Sequence, residues 1–429
     1  MTWEFADLLG RRLVAWGLFS TLAGVALVTL GEAFWRGFGG MAIAWGLVDT
    51  AIGLVARRLI ERSRRRTIGD QPARDQAHRR IRRLLLLNAA LDIAYIALGS
   101  WLVATAAHDA WRAGAGWGVI VQGGFLLAFD LAHVRLQPPR GPLLPAGLDP
   151  YRGPGHEAFG LRLADPTPTP DPVRGALLVH GFAGSPRQLR ALAAALATDG
   201  WLVEVPRLPG HGTDVRDIAE YRVEDWVQAV EAAAAILREA GVSRLLVAGH
   251  SIGGSLALAT AEHLRADALV LLAPFAWPTP GWQRAVAPVL RVFLPPGLRV
   301  FGRLDLGDPA TRAGVAGLLP ESDLDDPAVA QALRELRVPL TLLEQLFRIS
   351  SMAIRSAPAI RVPVLAVQGL DDTVSRPDRT RALLSRFPLP AALVELPAGH
   401  DLVSETSPVR DRVLARVRAF AAGMDGGSG

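Results

Sequence analysis

Four long apolar stretches in the first third of the chain constrain its fold more than any other feature. They are Leu13–Leu30, Phe38–Ile60, Leu84–Ala107 and Gly116–Leu136. Each has about 18 residues or more, which at a rise of about 1.5 Å per residue is enough to cross a hydrocarbon core of roughly 30 Å. The first stretch is too long for a cleavable signal peptide, and three more follow it. The sequence therefore predicts an all-α transmembrane bundle of four helices over residues 1–136.

Arginine sets the predicted orientation of these spans. The end of the second span and the loop that follows it contain a dense cluster: Arg57, Arg58, Arg62, Arg64, Arg65, Arg66, Arg74, Arg79, Arg80, Arg82 and Arg83. The other two loops have little basic charge beyond Arg36 and Arg112. The positive-inside rule therefore places the N-terminus, the central loop and everything after residue 136 in the cytoplasm.

Composition excludes several classes of site. All 46 basic residues are arginine and the chain has no cysteine, so disulfides, thiolate metal sites and cysteine nucleophiles are excluded. The densest arginine cluster lies between two apolar stretches, which favours a membrane explanation over a nucleic-acid one. No metal-ligand cluster or nucleotide-binding loop is visible, and we expect no cofactor, no metal and no nucleic-acid partner.

Polar residues inside the spans are Asp49, Asn88, Asp92 and Asp130. An aspartate near the centre of a span costs about 2.5–3.5 kcal/mol of insertion free energy, so each of these residues is expected to face another helix. Two interpretations are open. The residues form a proton- or ligand-binding site, or they make hydrogen bonds between helices.

The rest of the chain has the pattern of an α/β domain. Residues 137–172 are dense in proline and glycine, which predicts a linker with an edge strand over Phe159–Leu163. From about residue 173, short apolar runs alternate with alanine-rich helical stretches. The predicted strands are Ala176–Val179, Leu202–Val205, Leu245–Ala248, Ala268–Leu272, Val364–Val367 and Ala392–Leu396, and the predicted helices cover 187–199, 224–240, 254–265, 377–386 and 408–422. This alternation predicts a doubly wound, mostly parallel α/β sheet over residues 173–422, with a lid insertion at about 273–358 and a disordered tail over 423–429.

A serine in a strand–turn–helix context indicates the chemistry. Gly249-His250-Ser251-Ile252-Gly253 follows the strand Leu245–Ala248 and precedes a run of small helical residues. This is the context of a nucleophile elbow, in which a sharp turn pushes the serine hydroxyl out of the sheet. The flanking glycines allow the strained turn.

Three further segments follow predicted strands. The turn from His180 to Pro186 can aim the Phe182 backbone N–H at a substrate carbonyl oxygen, and the Ile252 N–H would be the second oxyanion donor. Gln368–Val374 offers an acid, Asp371 or Asp372, and Ala398–Asp401 offers His400 as a base. The order Ser, Asp, His along the chain is that of α/β-hydrolases.

With these motifs, residues 173–420 resemble serine hydrolases of the bacterial carboxylesterase and monoacylglycerol lipase group in the α/β-hydrolase superfamily. The resemblance implies Ser251 as nucleophile, His400 as base, and the Phe182 and Ile252 N–H groups as the oxyanion hole. It implies Asp372 rather than Asp371 as the acid, because the family's aspartate is the third residue after the glycine, here Gly369. The four-span N-terminal half departs from typical soluble members.

The combined expectation is a serine esterase or monoacylglycerol lipase-like enzyme that is integral to the bacterial inner membrane. Its expected partners are an ester or lipid-like substrate and the lipid bilayer. Phe275, Trp277 and Trp282 are candidates to line an acyl pocket or a membrane-facing lid, with ordinary lid packing as the alternative. The same triad also suits a thioesterase, an amidase or peptidase, or an acyltransferase. A different class of function is a membrane sensor or scaffold whose hydrolase domain is accessory or inactive.

Overall fold

The computed structural model describes residues 2–67, 71–137, 151, 154–162, 173–213, 215, 217–278, 297–302, 305–319 and 322–424. These residues divide into two compact units, the N-terminal helices and everything described from residue 151 onward. Most of the predicted linker over 137–172, and residues 425–429 of the predicted tail, lie outside the described residues.

The N-terminal unit consists of four long helices. They are α1 (Thr2–Leu30), α2 (Ala33–Thr67), α3 (Gln71–Ala104) and α4 (Ala110–Leu136). All four are long and apolar enough to cross a membrane, which confirms the predicted bundle and indicates a membrane protein. The first three extend beyond their apolar stretches into polar turns. In one such turn, at the start of α1, Arg11 donates to Asp7 over 2.7 Å.

Glycines bring the backbones of α1 and α2 into contact. A Cβ added to Gly17 would lie 2.5 Å from the carbonyl oxygen of Gly46, and one added to Gly24 would lie 2.6 Å from that of Gly39. Glycines recur every seventh residue on both helices, at positions 10, 17 and 24 on α1 and 39, 46 and 53 on α2, so they lie along one face of each helix. Close approach through small residues is how helices associate where lipid removes the hydrophobic driving force.

The polar residues of the spans differ in how deeply they are buried. Asp49, Asp92 and Asp130 are buried inside the bundle, as expected. Asn88 is exposed, so the expectation that it faces another helix is wrong. It shares the outer face of α3 with Leu84 and Leu91, which lie four and three positions away along the helix and are about half exposed. Leu87, next to it in the sequence, is also about half exposed.

The second unit contains a seven-stranded sheet in the order β1-β3-β2-β4-β5-β8-β9. The strands are β1 (Phe159–Leu161), β2 (Arg174–Val179), β3 (Leu202–Val205), β4 (Arg244–His250), β5 (Ala268–Leu272), β8 (Val364–Gly369) and β9 (Ala392–Leu396). All neighbours are parallel except β1, which pairs antiparallel with β3 at the sheet edge. The sheet confirms the predicted α/β-hydrolase fold class.

Helices cover both faces of this sheet. They are α5 (Arg190–Thr198), α6 (Val223–Glu239), α7 (Ile252–Thr260), α11 (Pro377–Leu384) and α12 (Arg410–Gly423). Between β5 and β8 lie α8 (Pro309–Leu318), α9 (Pro327–Glu335), α10 (Leu340–Ser356) and a short pair of strands, β6 (Gly297–Leu298) and β7 (Val338–Pro339).

Strand β4, at the centre of the sheet, is buried on both faces. Leu245 and Val247 pack into the apolar layer that contains Trp226, whereas Leu246 and Ala248 pack into the opposite layer. All four strand residues are buried, as expected for a parallel strand covered on both faces. Because these strands run parallel, the carboxyl ends of β2, β4, β8 and β9 lie at the same edge of the sheet. Ligands bind at this edge in open α/β sheets.

Candidate active site

Ser251 occupies a sharp turn between β4 and α7. Its φ is 54° and its ψ is −118°, a conformation that a residue with a side chain rarely adopts. The flanking glycines allow the turn, because a Cβ at Gly249 would lie 2.2 Å from the carbonyl group of Gly253. A Cβ at Gly253 would in turn lie 2.1 Å from the Val179 oxygen. The Ser251 N–H donates to the Leu272 oxygen over 2.8 Å, which fixes the turn against β5.

The structure brings Ser251, His400 and Asp372 into one hydrogen-bonded series. The Nε2 atom of His400 lies 2.9 Å from the Ser251 Oγ, and its Nδ1 lies 2.8 Å from the Asp372 Oδ2. All three residues are buried. Asp371, the alternative acid, is exposed. The geometry therefore pairs the imidazole with Asp372 and not with its neighbour.

Every oxygen of the Asp372 carboxylate has a donor. The backbone N–H groups of Val374 and Ser375 both donate to Oδ1 over 2.8 Å. The Nε2 atom of Gln368 donates to Oδ2 over 3.2 Å. Sequence reasoning missed Gln368, although its place at the end of a predicted strand, directly before Gly369, is a signal that could have found it. These bonds fix the carboxylate in the orientation in which it meets His400.

The turn after β2 lies beside Ser251. A Cβ added to Gly181 would lie 2.9 Å from the His250 Nδ1 and 3.4 Å from the Ser251 Cβ, so glycine leaves room for the imidazole beside the elbow. Within the described part of the chain, the N–H groups of Phe182 and Ile252 donate to no acceptor. Both are thus available to a substrate oxygen, as an oxyanion hole requires.

Two buried histidines support this turn. The Leu208 N–H donates to the Nε2 atom of His180 over 3.1 Å, so the Nδ1 of His180 holds the proton and donates to the Gly181 oxygen. Burial lowers the pKa of His180 well below its usual range. The His211 ring lies between the rings of Phe182 and Trp226, the latter on α6. Burial lowers the pKa of His211 to about 4. Both imidazoles are therefore neutral structural groups at neutral pH.

A third buried histidine, His250, lies inside the elbow itself. It contacts Gln188 through Nδ1 at 3.2 Å and the backbone oxygen of His400 through Nε2 at 2.9 Å. Burial, and next the nearby His400 imidazole, lower the pKa of His250 to about 4. Sequence reasoning gave no role to His250 or Gln188, although His250 stands next to the proposed nucleophile.

The aromatic candidates lie at different distances from Ser251. The Phe275 N–H donates to the Ser251 oxygen over 3.1 Å, so Phe275 adjoins the elbow. Its ring stacks on Trp277, with the ring centroids 6.5 Å apart. Trp277 is 39% exposed and lies under the guanidinium of Arg379, whose central carbon is 3.4 Å from the ring centroid. Trp282 lies outside the described residues.

A buried serine, imidazole and carboxylate in series, with two N–H groups next to the serine, is suited to acyl transfer. Comparison with known proteins gives the same class of chemistry. A sequence model described as serine aminopeptidase, S33, matches residues 171–407. A second model, of a family of unknown function, matches residues 12–131.

Two curated relatives match shorter segments. The thermostable monoacylglycerol lipase of Bacillus sp. (strain H-257) is 45% identical over 89 residues, which is 21% of this chain and 35% of the lipase. The carboxylesterase of Bacillus subtilis (strain 168) is 30% identical over 96 residues, 21% of this chain and 39% of the esterase. The chain thus spans less than half the length of either relative.

A solved structure matches over a longer range. The crystal structure of the monoacylglycerol lipase of Paleococcus ferrophilus has a TM-score of 0.45 and 20% sequence identity to this chain. The match covers 62% of this chain and 98% of that one.

Proposed function

Because the chain belongs to the serine aminopeptidase (S33) family, we propose that it is a serine hydrolase that cleaves carboxylic esters through an acyl-enzyme intermediate. The observation that supports this most directly is the series Ser251–His400–Asp372, with its serine on a strained elbow. In this proposal Ser251 is the nucleophile, His400 the base and Asp372 the acid. The N–H groups of Phe182 and Ile252 form the oxyanion hole.

Acylation begins when the Ser251 Oγ attacks the ester carbonyl carbon. His400 Nε2 takes the hydroxyl proton, and Asp372 holds the imidazole in the required tautomer and stabilises its positive charge. The carbonyl oxygen becomes an oxyanion that accepts hydrogen bonds from the Phe182 and Ile252 N–H groups, each worth about 3 kcal/mol. The intermediate then expels the alcohol, which leaves with the proton from His400.

Deacylation repeats the same steps with water. His400 takes a proton from a water molecule, whose oxygen attacks the acyl carbon of the Ser251 ester. The second oxyanion uses the same two N–H groups. Ser251 leaves with the proton from His400, and the carboxylic acid is released. Neither half-reaction needs a cofactor.

An ester is the favoured substrate because the two curated relatives are a monoacylglycerol lipase and a carboxylesterase. The membrane helices favour an ester that partitions into lipid. A bilayer concentrates such a substrate at the surface to which α1–α4 would anchor the enzyme. The arginine cluster after α2 supports a cytoplasmic hydrolase domain, and the bacterial relatives support the inner membrane as its location.

The test is hydrolysis of p-nitrophenyl esters by the detergent-solubilised full chain, with acyl groups from acetyl to palmitoyl. We expect turnover that rises with acyl length and is lost in Ser251→Ala. Equal turnover of short soluble esters would contradict a lipid-like substrate, and full activity in Ser251→Ala would contradict the nucleophile.

The family description names a peptidase, so the same preparations are tested on aminoacyl p-nitroanilides. We expect ester turnover to exceed anilide turnover. The reverse order, again dependent on Ser251, would identify a peptidase that uses the same triad.

A further inference from the structure

A series of hydrogen bonds joins the turn that carries Phe182 to the loop that carries His400. The Gly181 N–H donates to Gln188 Oε1 over 3.1 Å. The amide nitrogen of Gln188 lies 3.2 Å from His250 Nδ1, and His250 Nε2 lies 2.9 Å from the His400 backbone oxygen. Four separate segments are thereby connected: the turn after β2, the 3-10 helix Pro186–Leu189, the end of β4 and the loop after β9.

The direction of every bond in this series is determined by its two ends. A backbone N–H can only donate, so the oxygen of the Gln188 amide faces Gly181 and its nitrogen faces His250. A backbone carbonyl can only accept, so His250 must carry a proton on Nε2. Its Nδ1 then has the lone pair that accepts from Gln188. The series is complete only with His250 neutral and in its Nε2–H tautomer.

We infer that Gln188 and His250 are positioning residues for the hydrolysis proposed above, which hold the oxyanion turn and the base loop at a fixed separation around Ser251. This inference rests on the proposed function. Neither side chain lies in the proton path between Ser251 and Asp372. They act through their partners, because Gly181 precedes the oxyanion donor Phe182, and the carbonyl that His250 holds belongs to the base itself.

Charged and titratable groups surround His250 on several elements. The ring centroids of His400 and His250 lie 5.0 Å apart. The His180 imidazole, on the turn after β2, interacts electrostatically with His250. The carboxylates of Asp372 and Asp401 favour a charged His250, whereas burial opposes it and is the larger effect. His250 therefore keeps the neutral form that the series requires at neutral pH.

Two substitutions at position 250 separate its two bonds. In His250→Gln the amide nitrogen takes the place of Nε2 and can still donate to the His400 oxygen. In His250→Asn the amide oxygen takes the place of Nδ1 and still accepts from Gln188, but the bond to the base loop is lost. We expect kcat to fall about 10- to 100-fold in His250→Asn, with KM changed less than about twofold, and to fall less in His250→Gln, which loses the bond to Gln188 but keeps the one to the base loop.

Substitution of Gln188 by glutamate gives a signature in the pH profile. The carboxylate still accepts from Gly181 but cannot donate to Nδ1, so only a doubly protonated His250 completes the series. A carboxylate at this place also raises the pKa of His250. We therefore expect the kcat of Gln188→Glu to fall as pH rises through that pKa, where the natural enzyme has no such loss. The apolar control Gln188→Met should lose activity at every pH.

The experiment measures kcat, KM and the rate at which a fluorophosphonate labels Ser251, for the full chain in detergent and for each variant. Unchanged kcat in His250→Asn, or parallel pH profiles for Gln188→Glu and Gln188→Met, would overturn the inference. Loss of the label in Ser251→Ala tests the proposed function separately. If His250→Asn fails to fold, the comparison of the two Gln188 variants decides the question.

Discussion

Ser251 and the three buried histidines near it hold conformations or charge states that they would not have in solution. Ser251 has a left-handed φ of 54°, which costs on the order of 1–3 kcal/mol and persists only where the surroundings determine it. Those surroundings are the backbone bond to Leu272 and the close glycines of the elbow. Strain and buried polar groups thus concentrate at one site, which is where enzymes store them.

Asp372→Asn tests the role of the acid. The amide can no longer hold the imidazole in the tautomer that accepts the Ser251 proton, so we expect kcat to fall about 10⁴-fold with the fold intact. The matched control is Asp371→Asn, which changes an exposed neighbour and should leave kcat unchanged. Ester hydrolysis by the purified variants measures both, and equal losses would contradict the assignment.

The buried histidines predict how stability depends on pH. His211 and His250 have a pKa of about 4 in the folded chain against 6.5 in the unfolded one. Between these values the unfolded chain binds more protons, so the free energy of unfolding falls as pH falls below 6.5, by about 1.4 kcal/mol per pH unit for each histidine.

The measurement for this prediction is the thermal midpoint at about pH 7.5 and about pH 5. In His211→Asn one of these groups is gone, and we expect a smaller drop in midpoint between the two pH values. His263→Asn removes a histidine whose side chain is 76% exposed, and it should leave the drop nearly unchanged. Identical drops in all three proteins would contradict the buried neutral state of His211.

The elbow at Ser251, the proposed nucleophile, could be predicted from the sequence, because it is a local pattern of strand, turn and helix. Gln188 could not be predicted, since it acts through a contact with His250, which is distant in sequence, and nothing local distinguishes it from a glutamine on the surface. Gln368 holds Asp372 through the conformation of the loop between them, and its one signal in the sequence is its place directly before Gly369.

Among the elements, all six predicted strands lie where the apolar runs place them. One helix ends earlier than the sequence predicts. The sequence predicts a helix over 254–265, but α7 begins at Ile252 and ends at Thr260. The chain then turns, and Arg265 adopts a left-handed φ of 52° while the Ala266 N–H donates to the Ala261 oxygen. Glycine is the usual residue at such a helix end, so an arginine there gave no signal.

The glycines between α1 and α2 give a prediction about the bundle. In Gly46→Ala the new Cβ would lie 2.6 Å from the Gly17 carbonyl oxygen, so the two backbones must separate. We expect the bundle to lose about 1–3 kcal/mol of stability. A Cβ at Gly40 meets nothing within 4 Å, and Gly40→Ala is the matched control. Resistance of the detergent-solubilised protein to proteolysis on heating compares them, and equal resistance would contradict close packing at Gly46.

For the whole molecule, the absence of cysteine makes orientation directly measurable. His108→Cys places a thiol in the exposed loop between α3 and α4, and Ser385→Cys places one on the hydrolase unit. Because the arginine cluster favours a cytoplasmic hydrolase, we expect a membrane-impermeant maleimide to label only the first in cells whose inner membrane is intact. Both should react after lysis, and the opposite pattern in intact cells would reverse the topology.

Fluorophosphonate capture tests the central claim most directly, because it reports the nucleophile whatever the natural ester is. The full chain is labelled in detergent, digested and analysed by mass spectrometry. We predict a single adduct on the peptide that contains Ser251, absent in Ser251→Ala and retained in Ser255→Ala, which removes a buried hydroxyl four residues away. An adduct on another residue, or labelling that survives in Ser251→Ala, would contradict the account.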